Sequence, residues 1–155
     1  MEGTESQDAE LRRALEKIVP ADQDVEVELE MLEGLDQLRA VQRIAAAGTL
    51  PIVETHHRVI GAERCHFSAP ASVPSDQGHT SGRVLLTPVK AVFVGAGRAS
   101  HAAWHMVHHA LRIDRDVLLV RADRSPAAHF RFNTYGDAVV CTYLAQHLKG
   151  SRGRL

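Results

Sequence analysis

The residues best able to do chemistry lie between Leu85 and Asp123. Ala91-Val92-Phe93-Val94 reads as a buried strand. Gly95-Ala96-Gly97-Arg98-Ala99-Ser100 follows as G-x-G-x-x-S, one residue type from the G-x-G-x-x-G/A dinucleotide fingerprint. A helix starting there would gather Ala99, Ala102, Ala103, Met106, Val107, Ala110 and Leu111 on one apolar face. Val117–Val120 would be the next strand, and Asp123 would stand where an acid holds a ribose hydroxyl. Glycines let the backbone approach a pyrophosphate, and a helix N-terminus faces it with free N–H groups. The same helix would place His101, His105 and His108 on one face, a candidate metal set.

Both ideas require Ser100–Ile113 to be helical. On an extended strand, residues four apart lie about 13 Å from each other, too far to share an ion. No Cys, Asp or Glu falls within Ser100–Ile113 to complete a metal site. The adjacent pair His56-His57 points to opposite faces of a strand. Only 32 residues follow Asp123, too few for the remaining units of a dinucleotide fold. Cys65 and Cys141 are far apart without a CxxC spacing, so both are expected to be reduced and buried. The expectation is no catalytic residue, no metal and no cofactor. A dinucleotide-binding βαβ unit at Gly95–Ser100 stands as the alternative.

The elements around this stretch favour short strands. Residues 6–19 read as a helix with Leu11, Ala14, Leu15 and Ile18 in one stripe. A second helix spans about Ala21–Ala47, with Asp22 as N-cap and Gly48 as C′ residue. Its apolar positions Leu29, Leu32, Leu35, Leu38, Val41 and Ile44 recur every third residue, so the stripe drifts around the helix, and Gly34 marks a bend. From Thr49 onward β-branched residues alternate with Gly, Pro and Ser. Candidate strands are Pro51–Ile60, Glu63–Val73, Arg83–Thr87, Lys90–Gly95, Asp116–Arg121 and Ala127–Phe132. Pro74–Gly82 reads as a loop and Thr87-Pro88 as a tight turn. A closing helix runs from about Ala138 to Lys149, capped by Asp137, presenting Val140, Tyr143, Leu144, His147 and Leu148, and ended by Gly150.

Gly82-Arg83-Val84-Leu85-Leu86-Thr87-Pro88-Val89-Lys90-Ala91-Val92-Phe93-Val94-Gly95 resembles the G-x-L-x-L-T-x-x-R-L-x-F-x-G hairpin of bacterial pleckstrin-homology-like (GRAM-like) domains, with Lys90 and Ala91 where Arg and Leu are usual. Upstream, Gly48-Thr49-Leu50-Pro51 and Gly61-Ala62-Glu63-Arg64-Cys65-His66-Phe67 are similar to the lead-in of some members, and Ala103-Trp104-His105-Met106-Val107 looks like the family's strand-then-turn element. The resemblance covers about Thr49 to Lys149. It implies an α+β fold, a pleckstrin-homology-like barrel of about seven antiparallel strands with a C-terminal capping helix, preceded by an N-terminal helical arm. Ala99–Trp104 would then be a strand, His105–Val107 a turn and His108–Asp114 another strand, with Gly95–Gly97 a hairpin turn. The division would be an arm over 1–47, the domain over 48–150 and a mobile tail over 151–155.

Hydrophobic content of 45% and charged content of 24% suit an ordinary soluble chain. Net charge is −1, but residues 1–47 hold five Lys/Arg against 12 Asp/Glu and residues 48–155 hold 13 against seven. The acidic arm is therefore expected to dock on a basic face of the same chain or of a partner. No apolar run reaches the ~20 residues that span a bilayer, and the polar, acidic start is unlike a signal peptide, so the expected location is cytoplasmic. Family members often bind phosphoinositides through the loop between the first two strands. Here Pro74–Gly82 offers only His79. The resemblance thus implies a non-catalytic binding module, first a protein–protein adaptor or self-associating domain. Second comes a peripheral membrane or anionic-ligand role for the Arg-rich C-terminal part. Nucleic acid is not expected, because aromatic residues are 5% and no Lys-rich stripe exists.

Overall fold

A computed structural model describes residues 22–55, 57–75 and 78–152. The helix expected over residues 6–19 lies outside them. Helix α1 spans Asp22–Ala46. Gly48 follows it at φ +91°, where glycine avoids the Cβ clash of a left-handed residue, and its N–H donates to the Ala45 carbonyl at 3.0 Å. Then come β1 (Phe67–Ser75), β2 (Gly78–Leu86), β3 (Lys90–Gly95), β4 (Arg98–Ala103), β5 (His109–Ile113), β6 (Asp116–Val120), β7 (Pro126–Phe132) and helix α2 (Tyr135–Arg152).

The strands form one antiparallel sheet in the order β4-β3-β2-β1-β7-β6-β5. β1 pairs with β2 along all nine residues but meets β7 at only two, Ala71 opposite Phe132 and Ser72 opposite Arg131. The sheet folds over at that narrow seam. Its two halves enclose a core that includes Phe67, Phe93, Trp104, Phe130 and Phe132. Helix α2 closes the opening with Ala138, Cys141, Leu144, Ala145 and Leu148, all buried. This is the α+β, pleckstrin-homology-like architecture that the hairpin resemblance implies.

Ser100–Ile113 is not a helix. β4 ends at Ala103, a single 3₁₀ turn covers Trp104–Met106, and β5 begins at His109. Ala102, Trp104, Val107 and Ala110 are buried, while Ala99, Met106 and Leu111 of the apparent helical stripe face solvent. Gly95 pairs with Arg98, and Gly97 at φ +70° makes the hairpin turn.

Several expectations need correction. Pro51–Ile60 is not a strand. It holds one bridge, Val53 to Cys65, and a 3₁₀ turn over Arg58–Ile60. Ile52 and Val53 are exposed, so the segment has no buried face to hold a ladder, and Pro51 has no N–H to donate. Pro74–Gly82 is not a nine-residue loop, because Ser75 stands opposite Gly78 and strand pairing reaches that far. Asp137 does not cap α2. Thr134 Oγ1 accepts the Asp137 N–H at 3.1 Å, and Thr134-Tyr135-Gly136-Asp137 is the T-x-x-D signature of a capping box. Gly150 does not end α2, which continues to Arg152, and His147 lies on its exposed side.

Gly34 is where α1 crosses α2. A Cβ on Gly34 would come within 2.7 Å of Tyr135 Cδ1 and 2.9 Å of Gly136 Cα. Met31, Leu38 and Val41 pack on the core from the same side of α1, a straight i, i+7, i+10 stripe in place of the drifting leucines. Leu29 points away, 55% exposed.

Candidate functional site

The sequence-derived chemical groups are not brought together. His101 lies on β4, His105 in the 3₁₀ turn and His108 just before β5, so the extended backbone separates them. His57 immediately precedes the Arg58–Ile60 turn, and His56 lies outside the described residues. Arg98–Ser100 belongs to β4, so no helix N-terminus faces Gly95–Gly97. Asp123 is a turn residue: its Oδ1 accepts the Ser125 N–H at 2.9 Å and the Ser125 hydroxyl at 2.5 Å, which lowers its pKa. The dinucleotide alternative at Gly95–Ser100 is therefore overturned. Cys65 is buried and donates to the Phe67 carbonyl at 3.0 Å. Cys141 is fully enclosed. Burial pushes both thiols up, away from the reactive thiolate.

One polar knot is structural. Thr87, wholly buried in the β2–β3 connection, donates its hydroxyl to Glu63 Oε1 at 2.7 Å and accepts the Val89 and Lys90 N–H groups at 3.1 and 3.0 Å. Its carbonyl accepts Trp104 Nε1 at 2.7 Å, and Lys90 Nζ lies 3.4 Å from Glu63 Oε2. Every member faces another member, which leaves no group aimed at a ligand.

Surfaces are more informative. A cleft of about 400 Å³ lies between α1 and the β5–β6 turn, with Glu30, Met31, Arg115, Arg131 and Tyr135 in its wall. Glu30 of α1 occupies it on both sides. Oε2 pairs with Arg115 at 2.5 Å, and Oε1 accepts the Tyr135 N–H at 2.8 Å. The arm's acid therefore meets an arginine of the same chain and also satisfies a free N–H at the start of α2. Arg112 lies over the Tyr135 ring at 4.8 Å. Glu30, Arg115 and Arg131 of its wall are thus already paired within the chain, Arg131 with Asp116.

The outward face of the C-terminal half-sheet is different. Along β5 burial alternates: His109, Leu111 and Ile113 point out, and Ala110 points in. Leu111 and Ile113 are 50% and 65% exposed. Leu118 stands beside Leu111, and Val120 beside His109, on half-buried positions of β6. β5 is also an edge of the sheet. This apolar ribbon on an edge strand is the feature that internal packing leaves unexplained. Sequence reasoning missed it because large β-branched and leucine side chains in a strand read as core. The available signal was the small Ala110 between them, which marks the inner face where α2 approaches: Gln146 Nε2 donates to the Ala110 carbonyl at 3.4 Å.

At the ribbon's border, Asp116 Oδ1 meets His129 Nε2 at 2.9 Å and Oδ2 meets Arg131 Nη2 at 3.3 Å. Burial alone would raise the Asp116 pKa, but the His129 hydrogen bond and the Arg131 charge outweigh it and hold the carboxyl below the usual carboxylate range. A depressed pKa contributes stability that is present above the unfolded-state value and lost as pH falls through the folded-state value. Asp116→Asn should therefore lower the thermal midpoint at neutral pH. The gap to the wild type should close in the acid range, measured by circular dichroism melts across pH.

Among solved structures, this chain is similar in outline to the Vps36 N-terminal PH domain at 10% identity, over 61% of this chain and 84% of that one, with a TM-score of 0.49. It is likewise similar to Inner Membrane Complex Sub-compartment Protein 3 from Toxoplasma gondii at 10% identity, over 56% and 77%, TM-score 0.47. The C-terminal domain of an unknown protein from Leishmania infantum matches at 10% identity, over 58% and 88%, TM-score 0.47. No family model matches the chain, and no curated protein matches it. No helix among the described residues is long and apolar enough to cross a membrane.

Proposed function

We propose that this chain is a non-catalytic binding module that works through protein contacts, with the outward face of β5 and β6 as the contact surface. The observation that carries this reading is the exposure of Leu111 and Ile113, side by side on an edge strand. Fold alone does not set function, so the reading rests on this surface. Apolar side chains held out on a rigid strand lose little conformational freedom on binding, and burying each contributes roughly 1.5–3 kcal/mol. The GRAM-like hairpin at Gly82–Gly95 agrees with a binding role.

Photo-crosslinking tests it. A benzoylphenylalanine placed at Leu111 or Ile113 in the full chain, irradiated in an extract of the cells that express it, should give protein adducts. The same probe at exposed Arg124, in the β6–β7 turn, should not. Equal labelling at all three positions would overturn the proposal. Sedimentation with vesicles of anionic lipid serves as the second arm. Pelleting that persists when Leu111 and Ile113 become serine would assign the function to the arginine-rich surface instead.

A further inference from the structure

We infer that the outer face of α1 is a docking surface for residues 6–19 of the same chain, the helix read from the sequence, folded back antiparallel along it. The inference is separate from the contact role of β5 and β6. Helix α1 carries two apolar stripes. Met31, Leu38 and Val41 pack on the core. Val25, Leu29 and Leu32, at i, i+4 and i+7, lie on the side turned away from it. Val25 and Leu29 are 46% and 55% exposed, and Leu32 is half-buried but stands outside the core cluster. Asp36 ends the stripe one turn later. A helix with apolar residues on two sides has two neighbours, and α2 and the core account for one.

Chain length, spacing and charge select the occupant. Helix α1 starts at Asp22, three residues before Val25, so the preceding chain departs at the near end of the stripe. The sequence leaves only Pro20 and Ala21 between the two helices, and connections that short join antiparallel neighbours. The stripe of residues 6–19, Leu11, Ala14, Leu15 and Ile18, spans seven residues, as does Val25–Leu32. Folding back sets Ile18 on Val25, Ala14 on Leu29 and Leu11 on Leu32 in one constant register, with the small Ala14 opposite the large Leu29. Residues 22–36 of α1 hold seven acids and no Lys or Arg. A second copy of α1 would therefore set acid against acid. Arg12, Arg13 and Lys17 are the bases nearest in sequence on the N-terminal side, and they flank the matching stripe.

The test is crosslinking in the full chain. Cys65 and Cys141 are buried, so engineered thiols react first. Packed helices lie about 8–10 Å apart axis to axis, which a short bis-maleimide spans. Ala14→Cys combined with Leu29→Cys should form a link within one chain, read as a joined peptide by mass spectrometry at the mass of a single chain. Arg13→Cys combined with Leu29→Cys has nearly the same tether, but its thiol is turned about 100° around the helix. That pair should stay largely unlinked. Amide hydrogen exchange gives a readout without new thiols. Leu29→Ser should speed exchange across residues 6–19 and leave β1–β3 at wild-type protection, because the exposed Leu29 contributes nothing to the core. Equal linking of the two pairs, links formed only between chains, or exchange in residues 6–19 as fast in wild type as in Leu29→Ser would overturn the inference. The last result, with neither pair linked, would assign the stripe to a basic helix of another protein.

Discussion

Replacing Trp104 with alanine should destabilise the fold by about 3–5 kcal/mol, the largest effect expected of any single change here. The side chain is 1% exposed in the 3₁₀ turn between β4 and β5. That turn swings the chain from one half-sheet to the other, so Trp104 packs where the two halves must meet. It also carries a polar function. Its Nε1 donates to the Thr87 carbonyl at 2.7 Å, and its backbone N–H donates to the Val89 carbonyl at 3.0 Å. Alanine would open a cavity and leave the buried Thr87 carbonyl without its donor. Trp104→Phe separates the two losses. The phenyl ring keeps much of the packing, so the unpaired carbonyl should dominate, at about 1–3 kcal/mol. Urea unfolding followed by circular dichroism measures both, and the slope of free energy against urea should be unchanged in each variant. Fluorescence will not serve, because Trp104 is the only tryptophan. Equal losses in the two variants would mean that the hydrogen bond, and not ring packing, holds the halves together.

The β-sheet half of this molecule was legible in the sequence for a physical reason. Turn residues are chosen by backbone sterics, and sterics act locally. Gly97 and Thr87-Pro88 mark their turns because few residues adopt those dihedrals cheaply. The Ser100–Ile113 stretch was harder. Small alanines satisfy a helical period and a strand period equally, and only Trp104 and Val107, large and buried, break the tie.

What was not legible depended on contacts between distant parts of the chain. The α2 cap is the local exception: Thr134-x-x-Asp137 spells a capping box, and it is Thr134 Oγ1, not the Asp137 carboxylate, that accepts the N–H of the first turn. Burial raises the Asp137 pKa, against the Thr134 hydrogen bond and the Arg83 charge that lower it, so its carboxylate is not in the solvated setting of a helix cap. The outward ribbon on β5 could not be read either. Whether Leu111 or Ala110 faces the core is decided by α2, which follows more than 20 residues later. Glu30 gave no sign of its role, since its partners Arg115 and Tyr135 are 85 and 105 residues away.

The same long-range dependence makes Gly34→Val the second large prediction. In isolation the change should help α1, because valine is a better helix former than glycine. In the folded chain the new Cβ would meet Tyr135 Cδ1 at 2.7 Å and the Gly136 backbone at 2.9–3.0 Å. Tyr135 is itself buried and stacked under Arg112, so neither neighbour moves freely. Overpacking of this kind costs about 1–3 kcal/mol, more than the gain in helix propensity. The release route is for α1 to lift from α2, which would withdraw Met31, Leu38 and Val41 from the core and the Glu30 carboxylate from Tyr135 and Arg115. Amide hydrogen exchange across α1 should therefore accelerate, while β1–β3 stay protected. Gly136→Ala provides the comparison. Its added methyl would meet the flexible end of Gln37 first and the Gly34 Cα only at 3.2 Å, so a side-chain shift relieves most of the strain. Protection in α1 should fall much less in Gly136→Ala than in Gly34→Val. Unchanged exchange in Gly34→Val would place the attachment of α1 in the Glu30 pairings and the apolar stripe, not in the close approach of the two glycines.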